Sequence, residues 1–330
     1  MPRAVRHRPA YTEPVRDGIL GAMAQRCRRA LTGEHGTALA ALFDAHVHLH
    51  LIDESGLAAG GVAGALDLGG DPVLLARRDR DGLPRVAYAG AMLTAPGGYP
   101  SDRPWAPAEM WRAVSSASAH PGTPGAAVTI VDEQASFGAA VVKVALHSAA
   151  GPVLDAETLG AVVAAAHERN LPVVAHVEGE GMTRRALDAG IDVLAHAPFT
   201  ERVDDVDLAR AAATQQWIST LDIHTGADRH RAADNLARFA AAGGRVRYGT
   251  DLGNGRRPPG IQRGELQAMD AAGIRGAALI AALTDTWPLP PIDGVATFIP
   301  GPAPGTLDDV PAWLARATVV PDEELIRDDD

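Results

Sequence analysis

Residues 171–196 read LPVVAHVEGEGMTRRALDAGIDVLAH, and this stretch decides the fold. A short β-branched run, LPVVAHV, carries His176 near its end, and a second, IDVLAH, ends in His196. Between them Gly181 to Ala189 reads as a helix. Strand, helix and strand in so short a span describe two parallel neighbours joined by a crossover helix.

The same unit recurs on both sides. Candidate strands end near His48 (ALFDAHVH), Leu68 (VAGALDL), Ala91 (RVAYAGA), Ala145 (AAVVKVA), Val177, His196, Leu221 (QWISTL) and Asp251 (RVRYGTD). Helical stretches lie between several of them, as at Asp155 to Arg169 and Val206 to Thr214. Eight strands in seven steps from His46 to Asp251 give roughly 29 residues per step, the period of a (β/α)8 TIM-type barrel of about 250 residues. The turn-rich segment TAPGGYPSDRPWAPAE reads as an extended loop over the catalytic face, followed by a helix near Ala108 to Ser118. A further helix is expected from about Gln262 to Ala271.

Three regions follow: an N-terminal helical extension over 1–40, a barrel over 41–290, and a C-terminal extension over 291–330 that packs on the barrel. In the first, DGILGAMAQRCRRAL suggests helix; in the last, VATFIP is one short strand.

Composition narrows the class. Apolar residues make up 46% of the chain and aromatic residues only 4%, so Ala, Val and Leu must fill the interior, as suits helices packed on parallel strands. A net charge of −11, with Asp322, Glu323, Glu324, Asp328, Asp329 and Asp330 at the end, argues against a nucleic-acid partner. A small-molecule substrate is expected instead, and self-association into a homo-oligomer is compatible with the sequence. The basic residues Arg3, Arg6 and Arg8, then Arg26, Arg28 and Arg29, read as a solvated face. Cys27 is the single cysteine, and no stretch approaches the roughly 20 apolar residues of a membrane span, so a cytoplasmic location is expected.

The chemistry sits at strand ends. His46 and His48, at i and i+2 on a strand, point to one side and suit one metal ion. His176, His196 and Asp251 each follow an apolar run, at the end of a barrel where active sites form. Packing readily explains one buried histidine, but not four with an aspartate in the same geometry. Lys143 lies in the apolar run AAVVKVAL, where an unpaired ammonium is costly to bury. It either reaches solvent or a carboxylate, or its amine has reacted with carbon dioxide to give an anionic two-oxygen carbamate. His50 continues the i+2 spacing, His147 follows Lys143 by four, and His224 follows the seventh strand, so all three are candidate substrate contacts. Asp44 and Asp67 are expected to satisfy backbone donors.

FDAHVHLH, DLGG, RVAYAGAMLT, VVKVAL, VVAHVEGEGMTRRALDAGIDVLAH and YGTDLGN together resemble the amidohydrolase superfamily, in particular its imidazolonepropionase-like and prolidase-like branch, from about Ala41 to Leu283. The resemblance implies two divalent metal ions: one on His46, His48 and Asp251, the other on His176 and His196, with carboxylated Lys143 bridging them. It implies cleavage of an amide or cyclic amide by a metal-activated hydroxide. Asp251 would move the proton, with His196 and Lys143 completing the catalytic set. Zinc suits the ligands first, with manganese, iron or cobalt as alternatives. Relatives carry a small β-sandwich beside the barrel, which the helical reading of residues 1–40 makes reduced or absent here. Two rival readings remain at this level. One is a mononuclear deaminase or ring-opening enzyme acting on a heterocycle, the other a barrel that binds a ligand without catalysis.

Overall fold

Alternation of short β-branched runs with Ala-rich helices is what the chain adopts. The computed structural model describes residues 19–79 and 81–328. Residues 1–18, the first part of the expected helical extension and the place of Arg3, Arg6 and Arg8, lie outside the described residues, as do Arg80, Asp329 and Asp330.

The strands are β1 (Gln25–Arg29), β2 (His35–Leu39), β3 (Phe43–Val47), β4 (Gly64–Asp67), β5 (Arg85–Tyr88), β6 (Met92–Thr94), β7 (Trp111–Ala113), β8 (Val142–His147), β9 (Val173–Glu178), β10 (Val193–Leu194), β11 (Gln216–Ile218), β12 (Arg245–Arg247), β13 (Val295–Pro300), β14 (Thr318–Pro321) and β15 (Leu325–Arg327). The helices are α1 (Pro72–Ala76), α2 (Ala127–Ser136), α3 (Ala156–His167), α4 (Met182–Asp188), α5 (Asp205–Thr214), α6 (Gly226–Ala241), α7 (Arg263–Ala271), α8 (Ala277–Thr284) and α9 (Val310–Leu314). Local chemistry starts them: Asp155 caps α3 by accepting from Thr158 N at 2.7 Å, and Asp204 caps α5 by accepting from Asp207 N at 2.8 Å. On α6, Ala232, Asn235, Leu236 and Phe239 form a buried stripe at helical spacing. Phe239 stacks on Trp217 of β11 with ring centroids 4.0 Å apart; burying such a ring contributes roughly 1.5–3 kcal/mol.

Seven parallel strands form one sheet in the order β12-β11-β10-β9-β8-β6-β7, and β3-β4-β5 form a second parallel sheet. Backbone hydrogen bonds link them at both seams. On one side Ala45 N donates to Tyr248 O at 3.0 Å and Asp251 N to His46 O at 2.8 Å; on the other, Ala140 N donates to Tyr88 O at 2.9 Å. A buried cluster including Phe43, Leu66, Val174, Val193 and Ile218 draws on both sheets, which therefore share an interior.

The expected helix over residues 17–31 does not form at Gln25–Arg29. That segment is strand β1, in an antiparallel sheet of order β14-β13-β2-β1-β15. Its physical signature is the period-2 alternation of buried Cys27 between exposed Arg26 and Arg28. A single five-stranded antiparallel sheet built from both ends of the described chain therefore accompanies the parallel sheets, correcting the expectation of a helical N-terminal extension. The expected strand VATFIP is β13. Near Ala108 to Ser118 the expected helix is a single 3-10 turn, Ala108–Met110, followed by β7. Among the described residues, no helix is long and apolar enough to cross a membrane.

Candidate metal centre

His46, His48, Lys143, His176, His196 and Asp251 all line one cavity of about 480 Å³. Strand geometry brings them there. His46 lies in β3 with His48 just beyond it, Lys143 lies in β8 and His176 in β9, while His196 and Asp251 follow β10 and β12. The register of β8 on β9 sets Ala145 beside His176 and His147 beside Glu178.

The donors are oriented by atoms behind them. Nδ1 of His46 lies 2.9 Å from the carbonyl oxygen of Ala195, and Nδ1 of His48 lies 3.2 Å from that of Gly69. A carbonyl only accepts, so both Nδ1 atoms carry the proton and both Nε2 lone pairs face the cavity. Nδ1 of His196 lies 2.9 Å from Thr220 Oγ1. Nε2 of His176 lies 3.2 Å from Glu178 Oε2, and the other carboxylate oxygen, Oε1, lies 3.2 Å from Nε2 of His147. Glu178 thus joins two imidazoles and leaves Nδ1 of His176 as its lone-pair atom.

This donor set fits a divalent cation. Nε2 of His46 and Nε2 of His48 lie 3.4 Å apart, and they stand 3.2 and 3.3 Å from Oδ1 of Asp251. Lone pairs converging at such distances repel one another unless a proton or a cation sits among them. Burial keeps His46 and His196 well below the usual imidazole pKa, so both rings are neutral. Burial opposes charge on His48 too, but the adjacent Asp251 raises its pKa above the usual value. Burial would raise Asp251 as well; His46, His48 and His196 override it and hold the carboxyl well below the usual range. Burial lowers Lys143 to about 7, although Asp251 and Asp67 act in the opposite direction. Among the described residues, two groups each place their donor atoms within 4.8 Å of one another: His46, His196 and Asp251, and His147, His176 and Glu178.

The supporting frame is strained. Asp251 and Thr220 sit at φ values of +52° and +42°, a region costly for residues with a Cβ and uncommon outside functional sites. Asp44 accepts from His46 N at 3.0 Å, Thr250 N at 3.1 Å and Thr250 Oγ1 at 2.5 Å; Asp67 accepts from Leu49 N at 2.9 Å and Gly69 N at 3.0 Å. Both aspartates do what the sequence reading expected of them. Asn254 Nδ2 donates to Asp251 Oδ2 at 3.0 Å, which leaves Oδ1 to face the imidazoles.

Of the three histidines read as substrate contacts, only His224 lines the cavity. Its ring stacks on Phe199 with centroids 4.0 Å apart, its Nε2 is buried without a hydrogen-bond partner, and burial lowers its pKa to about 4. His147 stands behind Glu178, and exposed His50 lies outside the lining, its ring 6.0 Å from that of His48. Sequence reasoning did not single out Tyr99, Trp105, Phe199, Asn254 or Thr220. Two of them had a signal: Tyr99 and Trp105 are scarce aromatics inside a turn-rich loop where no core periodicity accounts for them.

Comparison with known proteins agrees on the fold. The chain superposes on a Xaa-Pro dipeptidase with methionine bound in its active site at 17% identity, covering 88% of this chain and 87% of that one, with a TM-score of 0.66. It matches A. niger ochratoxinase at 21% identity over 87% and 82% of the two chains, TM-score 0.66, and phenylurea hydrolase B at 15% over 88% and 85%, TM-score 0.64. No family model and no curated protein matches the sequence.

Proposed function

We propose that this chain is a metal-dependent hydrolase of the amidohydrolase superfamily that cleaves an amide or cyclic amide C–N bond of a small molecule. The observation that carries this reading is the convergence, in one cavity, of His46, His48, His176, His196 and Asp251 around buried Lys143. The solved structures that share the fold include a dipeptidase and a phenylurea hydrolase, which agrees with it. In the same reading the two parallel sheets close into one (β/α)8 barrel over residues 41–290, supported by the hydrogen bonds at both seams.

His46, His48 and Asp251 would hold one divalent cation and His176 and His196 the other, with carboxylated Lys143 between them. Zinc is the first choice for this imidazole and carboxylate set, and manganese, iron and cobalt suit it too. Bound there, divalent cations lower the pKa of water and polarise a carbonyl. Oδ1 of Asp251 accepts the proton of the attacking water and returns it to the departing nitrogen, while Asn254 keeps Oδ2 engaged. His224, neutral and lining the cavity, is placed to contact the substrate. Lys143 has no carboxylate partner within ion-pairing distance among the described residues, and conversion to a carbamate removes a buried ammonium.

Elemental analysis of protein purified without chelator tests this reading. Two ions per chain, with amide hydrolysis lost on chelation and restored by added metal, are expected. One ion per chain would favour the mononuclear alternative. Unchanged hydrolysis in fully stripped protein would overturn the assignment.

A further inference from the structure

The cavity is divided between a polar floor of metal-ligand type and walls that are largely apolar. Leu51, Met92, Tyr99, Trp105, Phe199 and Ile223 supply those walls. They arrive on segments that follow different strands, so no single helix or strand pattern put them together. The chain holds only four tyrosines, five tryptophans and five phenylalanines, and one of each faces this cavity.

The aromatic residues contact different members of the donor cluster. In one group the Tyr99 ring stacks on His176 at 5.2 Å, and Trp105 lies 6.0 Å from Tyr99 and 6.2 Å from His48. In the other, Phe199 packs 6.2 Å from His196 and stacks on His224, whose buried Nε2 has no hydrogen-bond partner. Ring-on-ring contacts of this kind contribute to the packing of each group. The space between them is a slot for a flat or branched apolar group next to a hydrogen-bonding amide.

Charge sharpens the choice. Among the described residues that line the cavity there is no arginine, and the one lysine is Lys143, which belongs to the metal-ligand set. The side chain of Glu178 adds an acidic group to the lining. Arg103 sits over the Tyr99 ring, 5.5 Å from its centroid, but is not among the lining residues, so a substrate carboxylate seated inside these walls would be desolvated with no guanidinium in the lining to meet it.

We infer that the substrate carries an uncharged aromatic or branched apolar group beside the scissile C–N bond, seated between Phe199 and Ile223 on one wall and Tyr99 and Trp105 on the other. This rests on the metal-dependent amidase reading above. Water adds to the carbonyl carbon, the C–N bond breaks, and the water's protons are shared between the released amine and acid, so the reaction needs no further reactant.

The test uses the full chain loaded with zinc and four amides: N-methylacetamide, N-acetylbenzylamine, N-methylphenylacetamide and N-acetylglycine. At least one of the two aromatic amides is expected to exceed N-methylacetamide in kcat/KM by about 30-fold or more, with N-acetylglycine the poorest. Phe199→Ala should cut that aromatic advantage about tenfold, chiefly through KM. Benzylphosphonate should quench tryptophan fluorescence at lower concentration than methylphosphonate, and Phe199→Ala should erase the difference. Bound zinc with N-acetylglycine or N-methylacetamide preferred would overturn this inference alone. Absence of bound zinc and of any amide turnover would overturn the hydrolase reading and this inference together.

Discussion

Thr220 places its hydroxyl oxygen 2.9 Å from Nδ1 of His196 while its own backbone sits at φ +42°, so a strained threonine orients a cavity histidine. A partner behind a ligating imidazole typically accounts for 10–100-fold in metal affinity. Glycine relieves the backbone strain but removes the hydroxyl. Thr220→Gly is therefore expected to lose about 10–100-fold in affinity for one metal ion in chelator competition while its Tm stays within a few degrees of wild type. A variant that binds metal normally would show that the hydroxyl has no orienting role.

Asp251→Asn preserves shape and removes the charge that faces Nε2 of His46 and His48. Loss of a group that both transfers a proton and binds a cation should lower kcat/KM by about 10²–10⁴ and reduce metal content. Near-wild-type turnover at full metal loading would remove Asp251 from proton transfer.

Lys143→Ala should bind one ion per chain rather than two, because the proposed two-oxygen bridge is gone. A small carboxylic acid such as propionate fits the space vacated by the side chain and offers the same two oxygens. Partial recovery of the second ion and of activity with millimolar propionate is expected; recovery with an alkylamine instead would speak for a free ammonium.

Gly249 is a packing prediction. A Cβ there would overlap the Cγ2 methyl of Ile218 and lie 3.2 Å from His46 Cβ. Overpacking costs about 1–3 kcal/mol, so Gly249→Ala should lower Tm by several degrees and weaken metal binding together. Calorimetry with and without metal reads both.

Glu265 is fully buried on α7, where it accepts from Leu221 N at 3.0 Å and Asp222 N at 2.7 Å. Burial raises its pKa to about 7, against those hydrogen bonds. A folded pKa above the unfolded value means that the stability contributed is complete below about pH 4.5 and lost as pH rises through 7. The stability advantage of wild type over Glu265→Gln should therefore shrink by on the order of 3 kcal/mol between pH 4.5 and 8. Urea titrations that run parallel at both pH values would contradict this.

Much of the molecule was legible because the signals were local. Runs such as VVKVAL and PVVAHV show strand composition within a few residues, and the expected helices at Asp155 to Arg169 and Val206 to Thr214 match α3 and α5 closely. The terminal segments were not legible in the same way: Cys27 pairs with Arg327 and Thr297 with Leu39, across nearly the whole chain, and no local pattern announces such a partner.

By itself, then, the amino-acid sequence determined which side chains could act as ligands and that each would end an apolar run, since strand periodicity and residue chemistry are properties of neighbouring positions. Tertiary structure alone decided what surrounds them: the Thr220 hydroxyl behind His196, the carboxylate of Glu178 shared by His147 and His176, and the aromatic side chains that line the cavity. Those relationships depend on how separate segments lie against one another in space. Packing of the whole chain sets that distance and direction, and spacing along the sequence does not encode it.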